Sequence, residues 1–362
     1  MGRKWLRHGL VVLLLFILAT GVTLASGEMR VYYFDVGQAE STLLLGPGFT
    51  ILIDAGNLGE NDVVGYLQKL QVSAIDLFIL THPHADHIGQ AVAVLDNFAV
   101  DEVWMSGYEH PTVLFEDVLD AILRSDAYYY EPQTGEKFTF GELDLYVLNP
   151  AEIGSNLHAS NIVVRAVYGD IAFLFTGDAE RRSEREMIQE ELSLTADVLQ
   201  LGHHGSRTSS SLEFLLAVRP ETAIYSAGVN NSFGHPHSEV LNRLKILDVP
   251  TYGTDCNGTV IVQTDGQDYI VYTETGTPLR EVGECLAGLP DPNRVELNTA
   301  SFTELQRIIH IGPERAREII ALRQVHALRS VDDLKWVSGL GVQRIEEIKE
   351  QGLAYVKGVN ED

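Results

Sequence analysis

The chain has 362 residues, 45% of them hydrophobic, enough for one large core and a small second one, which excludes a wholly disordered protein. Its formal net charge of −25, from 26 basic and 51 acidic residues, argues against wholesale electrostatic attraction to nucleic acid or anionic lipid. Nearly all of the acidic excess falls between Glu28 and Glu284, and the segment from Leu286 onward is close to balanced, so a polyanionic substrate would need local help and a domain boundary is expected near that change.

The first 27 residues read as an export signal: Arg3, Lys4 and Arg7 precede the apolar run Leu10 to Leu18, and Thr23-Leu24-Ala25 offers a small-residue cleavage site. The run Gly9 to Ala25 also stands at the lower length limit of a spanning helix, so an uncleaved anchor is the second reading. Either one places the rest of the chain outside the cytoplasm. Short apolar runs at Arg30 to Phe34, Ser41 to Leu45 and Thr50 to Ile53, separated by Gly, Pro and Asp, predict strands. A helix is predicted over Asp62 to Leu70, a buried strand over Asp76 to Leu80, a helix over Ile88 to Asn97 and a strand over Glu102 to Met105. The second half repeats the mixture, with strands at Leu143 to Leu148, Ile162 to Tyr168, Ile171 to Phe175, Ala223 to Ser226 and Thr259 to Thr264. Its helices are predicted over Glu180 to Glu191, Leu212 to Val218 and Glu239 to Leu247. Strands interleaved with helices in both halves suggest an α/β fold of two packed sheets with helices outside, a four-layer αββα sandwich. The body runs over residues 28–274, and residues 275–293, rich in Gly, Pro and acid, form a linker. Residues 294–362 carry four short amphipathic helices, at Phe302 to Ile309, Pro313 to Arg323, Val331 to Trp336 and Val342 to Glu350. Tight turns at Ile311-Gly312-Pro313 and Gly339-Leu340-Gly341 make these two helix-turn-helix units of a small all-α domain. Cys256 and Cys285, the only cysteines, fit neither a zinc knuckle nor a redox dithiol; paired, they would tie the last strand region to the linker.

The densest chemistry is Thr81-His82-Pro83-His84-Ala85-Asp86-His87. The strand before it is apolar, so His82 and His84 emerge at its carboxyl end, where α/β sites form. Imidazoles with a carboxylate suit Zn, Mn or Fe rather than Ca or Mg. A histidine-rich surface turn is the competing reading, but such a turn seldom follows a buried strand.

Five segments occur in one order: Phe34-Asp35-Val36-Gly37-Gln38, Leu52-Ile53-Asp54-Ala55-Gly56, the His82 segment, Phe175-Thr176-Gly177-Asp178 and Gly202-His203-His204-Gly205-Ser206. Together they resemble the metallo-β-lactamase superfamily. With Asn230 to Pro236 and Thr254-Asp255 through Thr259, they resemble more closely the hydrolase domain of ComEC-type DNA-internalisation proteins, over about Met29 to Thr273. The resemblance implies two divalent metal ions, Zn or Mn: His82 and His84 on the first, Asp86, His87 and His203 on the second, and Asp178 bridging both. The third ligand of the first site stays open, with His158 on the superfamily pattern and Asn156 or Asn161 on the ComEC-type pattern. His204 and His235 are expected to touch substrate or support the ligands, and Asp35 and Asp54 to support the site from behind. Asp178 could also cap the following helix.

The tail, through Leu297-Asn298-Thr299-Ala300-Ser301 and its two glycine turns, resembles helix-hairpin-helix modules of the ComEA type. Such hairpins present backbone N–H groups to phosphate, which here implies DNA contact through Gly312, Arg315, Gly339, Gly341 and Arg344. His310 stands where these modules carry glycine. The expected activity is an exported phosphodiesterase or nuclease in which a metal-bound hydroxide attacks DNA, with Asp86, His204 and His235 catalytic. Two alternatives remain at this stage: an exported esterase resembling phosphorylcholine esterases, and a catalytically silent DNA-binding or scaffold protein.

Overall fold

The computed structural model describes residues 27–59, 62–151, 153, 157–190, 192–282, 295–351 and 353–356. The expected signal or anchor at residues 1–27, apart from Gly27, lies outside these, as do Asn156 and Cys285. The body contains strands β1 (Met29–Tyr33), β2 (Thr42–Gly46), β3 (Phe49–Ile53), β4 (Ala74–Ile79), β5 (Ala99–Trp104), β6 (Tyr128–Tyr130), β7 (Lys137–Phe140) and β8 (Leu143–Asn149). They continue with β9 (Val163–Tyr168), β10 (Ile171–Phe175), β11 (Val198–Gln200), β12 (Thr222–Tyr225), β13 (Thr251–Gly253), β14 (Val260–Thr264) and β15 (Tyr269–Thr273). One sheet has the order β15-β14-β1-β2-β3-β4-β5-β6 and the other β13-β12-β11-β10-β9-β8-β7.

Side-chain alternation explains why the central strands read as unbroken apolar runs. In β1, Val31 and Tyr33 face Leu77, Phe173 and Phe175 between the sheets, whereas Tyr32 and Phe34 join Phe78 and Val118 beneath helices. Helices α1 (Asp62–Lys69), α2 (Ala85–Ile88), α3 (Ala91–Asn97) and α4 (Val113–Arg124) cover the first sheet. Helices α5 (Arg181–Gln189), α6 (Leu212–Val218) and α7 (Ser238–Ile246) cover the second, through Met187, Phe214, Leu215 and Val240. A short α8 (Thr254–Asn257) precedes β14. This is the expected four-layer sandwich. The runs β3 to β6 and β10 to β13 are parallel, so the loops after β3, β4, β10, β11 and β12 all leave from carboxyl ends.

Several local expectations change. The helix predicted over Ile88 to Asn97 divides into α2 and α3, because Gly89 and Gln90 turn their N–H groups onto the carbonyls of Gly56 (3.0 Å) and Ala55 (2.9 Å). Helix α4 was not among the predicted elements, although Thr112 caps it by accepting from Phe115 N–H and Phe115, Val118 and Ile122 form its buried face. The first part of the predicted linker folds back on the body: Arg280 exchanges backbone bonds with the Asn257 side chain, at 2.9 and 3.0 Å, and Val282 joins the core under α7. Cys256 is disulfide-bonded, and its expected partner Cys285 lies outside the described residues.

The tail has its own core, built on Leu297, Leu305, Ile319, Leu334 and Ile348. It holds α9 (Phe302–Leu305), α10 (Pro313–Val325), a 3-10 helix (Val331–Trp336) and α11 (Val342–Gln351). It is not wholly helical, because β16 (Val295–Glu296) pairs in parallel with β17 (Ala354–Tyr355) and ties its two ends together. Among the described residues no helix is long and apolar enough to cross a membrane.

A methyl group at Gly89 would strike the backbone of Asn57 and Leu58. Gly89→Ala is expected to cost about 1–3 kcal/mol through overpacking, seen as a lower denaturation midpoint at unchanged slope; an unshifted midpoint would show that the 57–58 turn can yield.

Candidate metal centre

The site begins with a buried carboxylate at the end of β3. Asp54 adopts a left-handed backbone, φ +60°, and is fully buried, so its oxygens must find donors. Oδ1 accepts Thr81 N–H (2.8 Å), and Oδ2 accepts the Thr81 hydroxyl (2.8 Å) and meets His87 Nδ1 at 2.7 Å. The contact fixes the His87 ring so that Nε2 faces the cavity. On the same loop, His82 Nε2 and His84 Nδ1 approach to 2.9 Å. Burial, followed by the nearby His87, holds His82 well below the usual imidazole range. Two imidazole nitrogens turned toward one point suit a cation.

Asp178 lies where these groups converge. Its Oδ2 is 3.5 Å from His82 Nε2, 3.9 Å from His158 Nδ1 and 3.6 Å from His203 Nε2. Its Oδ1 faces the other way, 3.3 Å from His87 Nε2 and 3.8 Å from His204 Nε2. Ligand atoms of His82, His84, His158 and Asp178 lie within 4.8 Å of one another, and so do those of Asp86, His87 and His204. Asp178 Oδ1, His87 Nε2 and His158 Nδ1 are buried with no aligned hydrogen-bond partner among the described residues. Unpaired buried polar atoms cost about 1–3 kcal/mol each, so the donor set fits a divalent metal. Burial opposes charge on His87, but Asp178, Asp54 and Asp86 around it raise its pKa well above the ordinary value. Asp86 is held low despite its burial, by His87 and by the His204 hydrogen bond.

A model of the metallo-beta-lactamase superfamily matches residues 34–229. The chain belongs to the metallo-beta-lactamase superfamily. A helix-hairpin-helix motif matches residues 291–352. Its relatives include ComE operon protein 3 of Bacillus subtilis, a ComEC-type competence protein, 31% identical over 255 residues that cover 65% of this chain and 33% of that one. The chain spans about a third of the length of such competence relatives. A deoxyribonuclease of Thioalkalivibrio sp. is 43% identical over 63 residues, 17% of each chain. Among solved structures, the metallo-beta-lactamase fold protein YhfI of Bacillus subtilis is similar at a TM-score of 0.47 and 14% identity, covering 66% of this chain and 100% of that one.

In this superfamily member the geometry sorts the two adjacent histidines differently from the sequence expectation. The side chain that meets Asp86 and His87 is His204, with Nε2 3.3 Å from Asp86 Oδ2 and Nδ1 2.9 Å from Ser226 O. His203, expected there, stacks on His158 with ring centres 4.9 Å apart and reaches Glu180 with Nδ1 at 3.4 Å. Both have left-handed backbones, φ +51° and +55°, so successive side chains leave a tight turn in divergent directions. Between His158 and Asn161 the geometry also sorts the choice: His158 joins the ligand atoms, and Asn161 accepts Asp178 N–H (3.0 Å) and donates to Thr176 O (2.8 Å). Asp178 does not cap α5, whose first-turn flank is Glu180. Asp35 serves its own loop, accepting Gly37 N–H.

His235 sits beside this cluster, its ring 6.1 Å from that of His204 and 5.7 Å from that of His203. Gly228 N–H donates to Gln38 Oε1 (3.1 Å), which leaves the Gln38 amide nitrogen facing His235 Nδ1 at 3.3 Å. Burial, with His204, His237 and His203 nearby, lowers His235 to about 3. It is therefore a neutral ring whose Nε2 carries the proton. Sequence reasoning passed over Glu40, which is buried at 1% exposure among His87, Asp178 and Asp54. Burial pushes its carboxyl up to about 8 against the pull of His87 and His204. The available signal was a lone acid just before an apolar strand.

In the tail, Arg315 donates to His310 O (2.7 Å) and Ser338 O (3.1 Å), and Arg344 donates to Gly339 O (2.6 Å). Both guanidinium groups thus hold the hairpin turns together. Gly339 needs its positive φ of +75°, and a side chain there would meet Arg315. Gly312, which precedes α10, and Gly341, which precedes α11, face open space. His310 adopts the glycine-like φ of +66°, braced by its ring contact with Glu347.

Asp54→Asn keeps the size of the side chain but removes the charge that orients His87. A loss of about 10–100-fold in metal affinity is expected, measured by titration against a chromogenic chelator; wild-type affinity would remove Asp54 from the site's support.

Proposed function

We propose that the chain is an extracytoplasmic metal-dependent phosphodiesterase that hydrolyses DNA at a centre of two divalent ions, zinc or manganese, while its tail holds the DNA backbone. The observation that carries this reading is the division of the Asp178 oxygens between two ligand groups. His82, His84, His158 and Asp178 Oδ2 would hold the first ion, and Asp86, His87, His204 and Asp178 Oδ1 the second. Two such ions lower the pKa of a shared water and offset charge on an attacked phosphate.

The protein's own groups do the rest. Asp54 and Ser226 O orient His87 and His204 by binding the ring nitrogen turned away from the cavity. His235, with its Nε2 proton kept by Gln38, supplies a neutral donor for a non-bridging oxygen or the leaving group. DNA as the substrate is supported by the competence relatives, by the deoxyribonuclease likeness and by the hairpin tail. Gly312 opens the N-terminus of α10, a thirteen-residue helix, to a phosphate without a Cβ in the way. Export is supported by the basic, apolar and small-residue order of residues 1–27.

Mature protein stripped by chelation and reloaded with Mn or Zn is expected to cleave single- or double-stranded DNA faster than a small neutral diester. The reverse preference favours an esterase. His84→Ala and Asp178→Ala should each abolish turnover and lower bound metal; full activity in either would contradict the centre. For the tail, Gly312→Asp retains a good helix cap but puts negative charge where the phosphate would sit. It is expected to weaken DNA binding about tenfold at low salt, equivalent to ~1.4 kcal/mol, and wild-type binding should itself fall as salt rises; salt-independent binding would contradict backbone recognition.

A further inference from the structure

One buried acid of the site has no task in the scheme above. Glu40 has its main chain pinned between two site loops: its N–H donates to Asp86 O (3.0 Å), and its carbonyl accepts Gly56 N–H (2.8 Å). This directs the side chain inward, where it is 1% exposed. Its Oε1 is buried with no hydrogen-bond partner among the described residues. Ligand atoms of Glu40, His87 and Asp178 all lie within 4.8 Å of one another. The titratable groups acting on it are His87 and His204, which favour its charged form, and Asp54 and Asp178, which oppose it. A carboxyl with a purely structural role would be expected to have donors on both oxygens, and the acceptor-rich surroundings of Glu40 call for a cation instead.

We propose that Glu40 is a further carboxylate ligand of the second metal position, which makes that position oxygen-rich and biases it toward Mn(II) over Zn(II). The proposal rests on the two-ion reading above. Glu40 groups with His87 and Asp178, and His87 also groups with Asp86 and His204, so the Glu40 carboxylate joins that position on the side of His87 and Asp178. The first position has three imidazoles and one carboxylate. Carboxylate-rich sets with more than four donors suit Mn(II), whereas Zn(II) is content with four.

The test is a titration of the purified chain with Mn(II), reading free ion by electron paramagnetic resonance, together with melting curves with and without metal. The wild type should take up two equivalents. Glu40→Gln, which keeps shape and removes charge, should retain the first and weaken the second at least tenfold. Its metal-free melting temperature should equal or exceed that of the wild type, while the rise on adding Mn(II) shrinks. Should the amide variant not fold, Glu40→Asp, which withdraws the carboxylate by one methylene, is read in the same way. An unchanged second equivalent in the folded variant overturns the role of Glu40 and leaves the two-ion reading standing. A lowered metal-free melting temperature with an unchanged metal-induced rise overturns it too, by marking a structural role. Fewer than two equivalents in the wild type would instead overturn the two-ion reading, and this proposal with it.

Discussion

The carboxylate of Asp178 can face two histidine groups because the loop after β10 is held on three sides. Asn161 takes its N–H, the Gly177 carbonyl accepts His203 N–H (2.9 Å), and the Thr176 hydroxyl donates to Gln200 O (2.9 Å). Gly177 has φ +46°, and a side chain at this point would drive into Asn161 and Thr81. The orientation of one side chain thus depends on β4, β9, β10 and β11 together. Each of those strands is buried on both faces or nearly so, and the sandwich transmits their positions to the site.

Strain gathers in the same place. Asp54, His203 and His204 have positive φ values, conformations that cost of order 1–3 kcal/mol each outside glycine. Each is retained by bonds the surrounding structure provides: the Thr81 pair for Asp54, Gly177 O for His203 and Ser226 O for His204. For Asp54 and His204 these bonds act on the side of the carboxylate or ring away from the cavity, so orientation and strain relief are the same contacts, whereas His203 is held through its backbone N–H. Electrostatics follows from the geometry. Carboxylates of Asp54, Asp86 and Asp178 enclose His87, and the interior of a strongly acidic protein becomes a place for positive charge.

Much of this arrangement could be read in the sequence where local pattern and tertiary role coincide. Strands β1 and β10 are apolar on both faces, so their runs were plain, and β10 was delimited as it stands. The His82 to His87 loop concentrates its donors in one short segment. Other features have no local signature. Strand β11 is three residues long, and β6 is an exposed edge. His203 and His204 are neighbours of the same type, so only the left-handed turn, a product of packing, distinguishes their directions. Glu40 meets His87 only because β1, β3 and β4 bring distant loops together. In the tail, Arg315 and Arg344 stood out as cations, yet their partners are the carbonyls of the hairpin itself.

Whether Asp178 joins two metal positions is tested most directly by anomalous diffraction at the manganese edge from crystals grown with Mn(II). Two peaks about 3.5–4 Å apart are expected, one beside Asp178 Oδ2 and His82, the other beside Asp178 Oδ1 and His204. A single peak, or a pair with Asp178 touching only one of them, would contradict the bridging role.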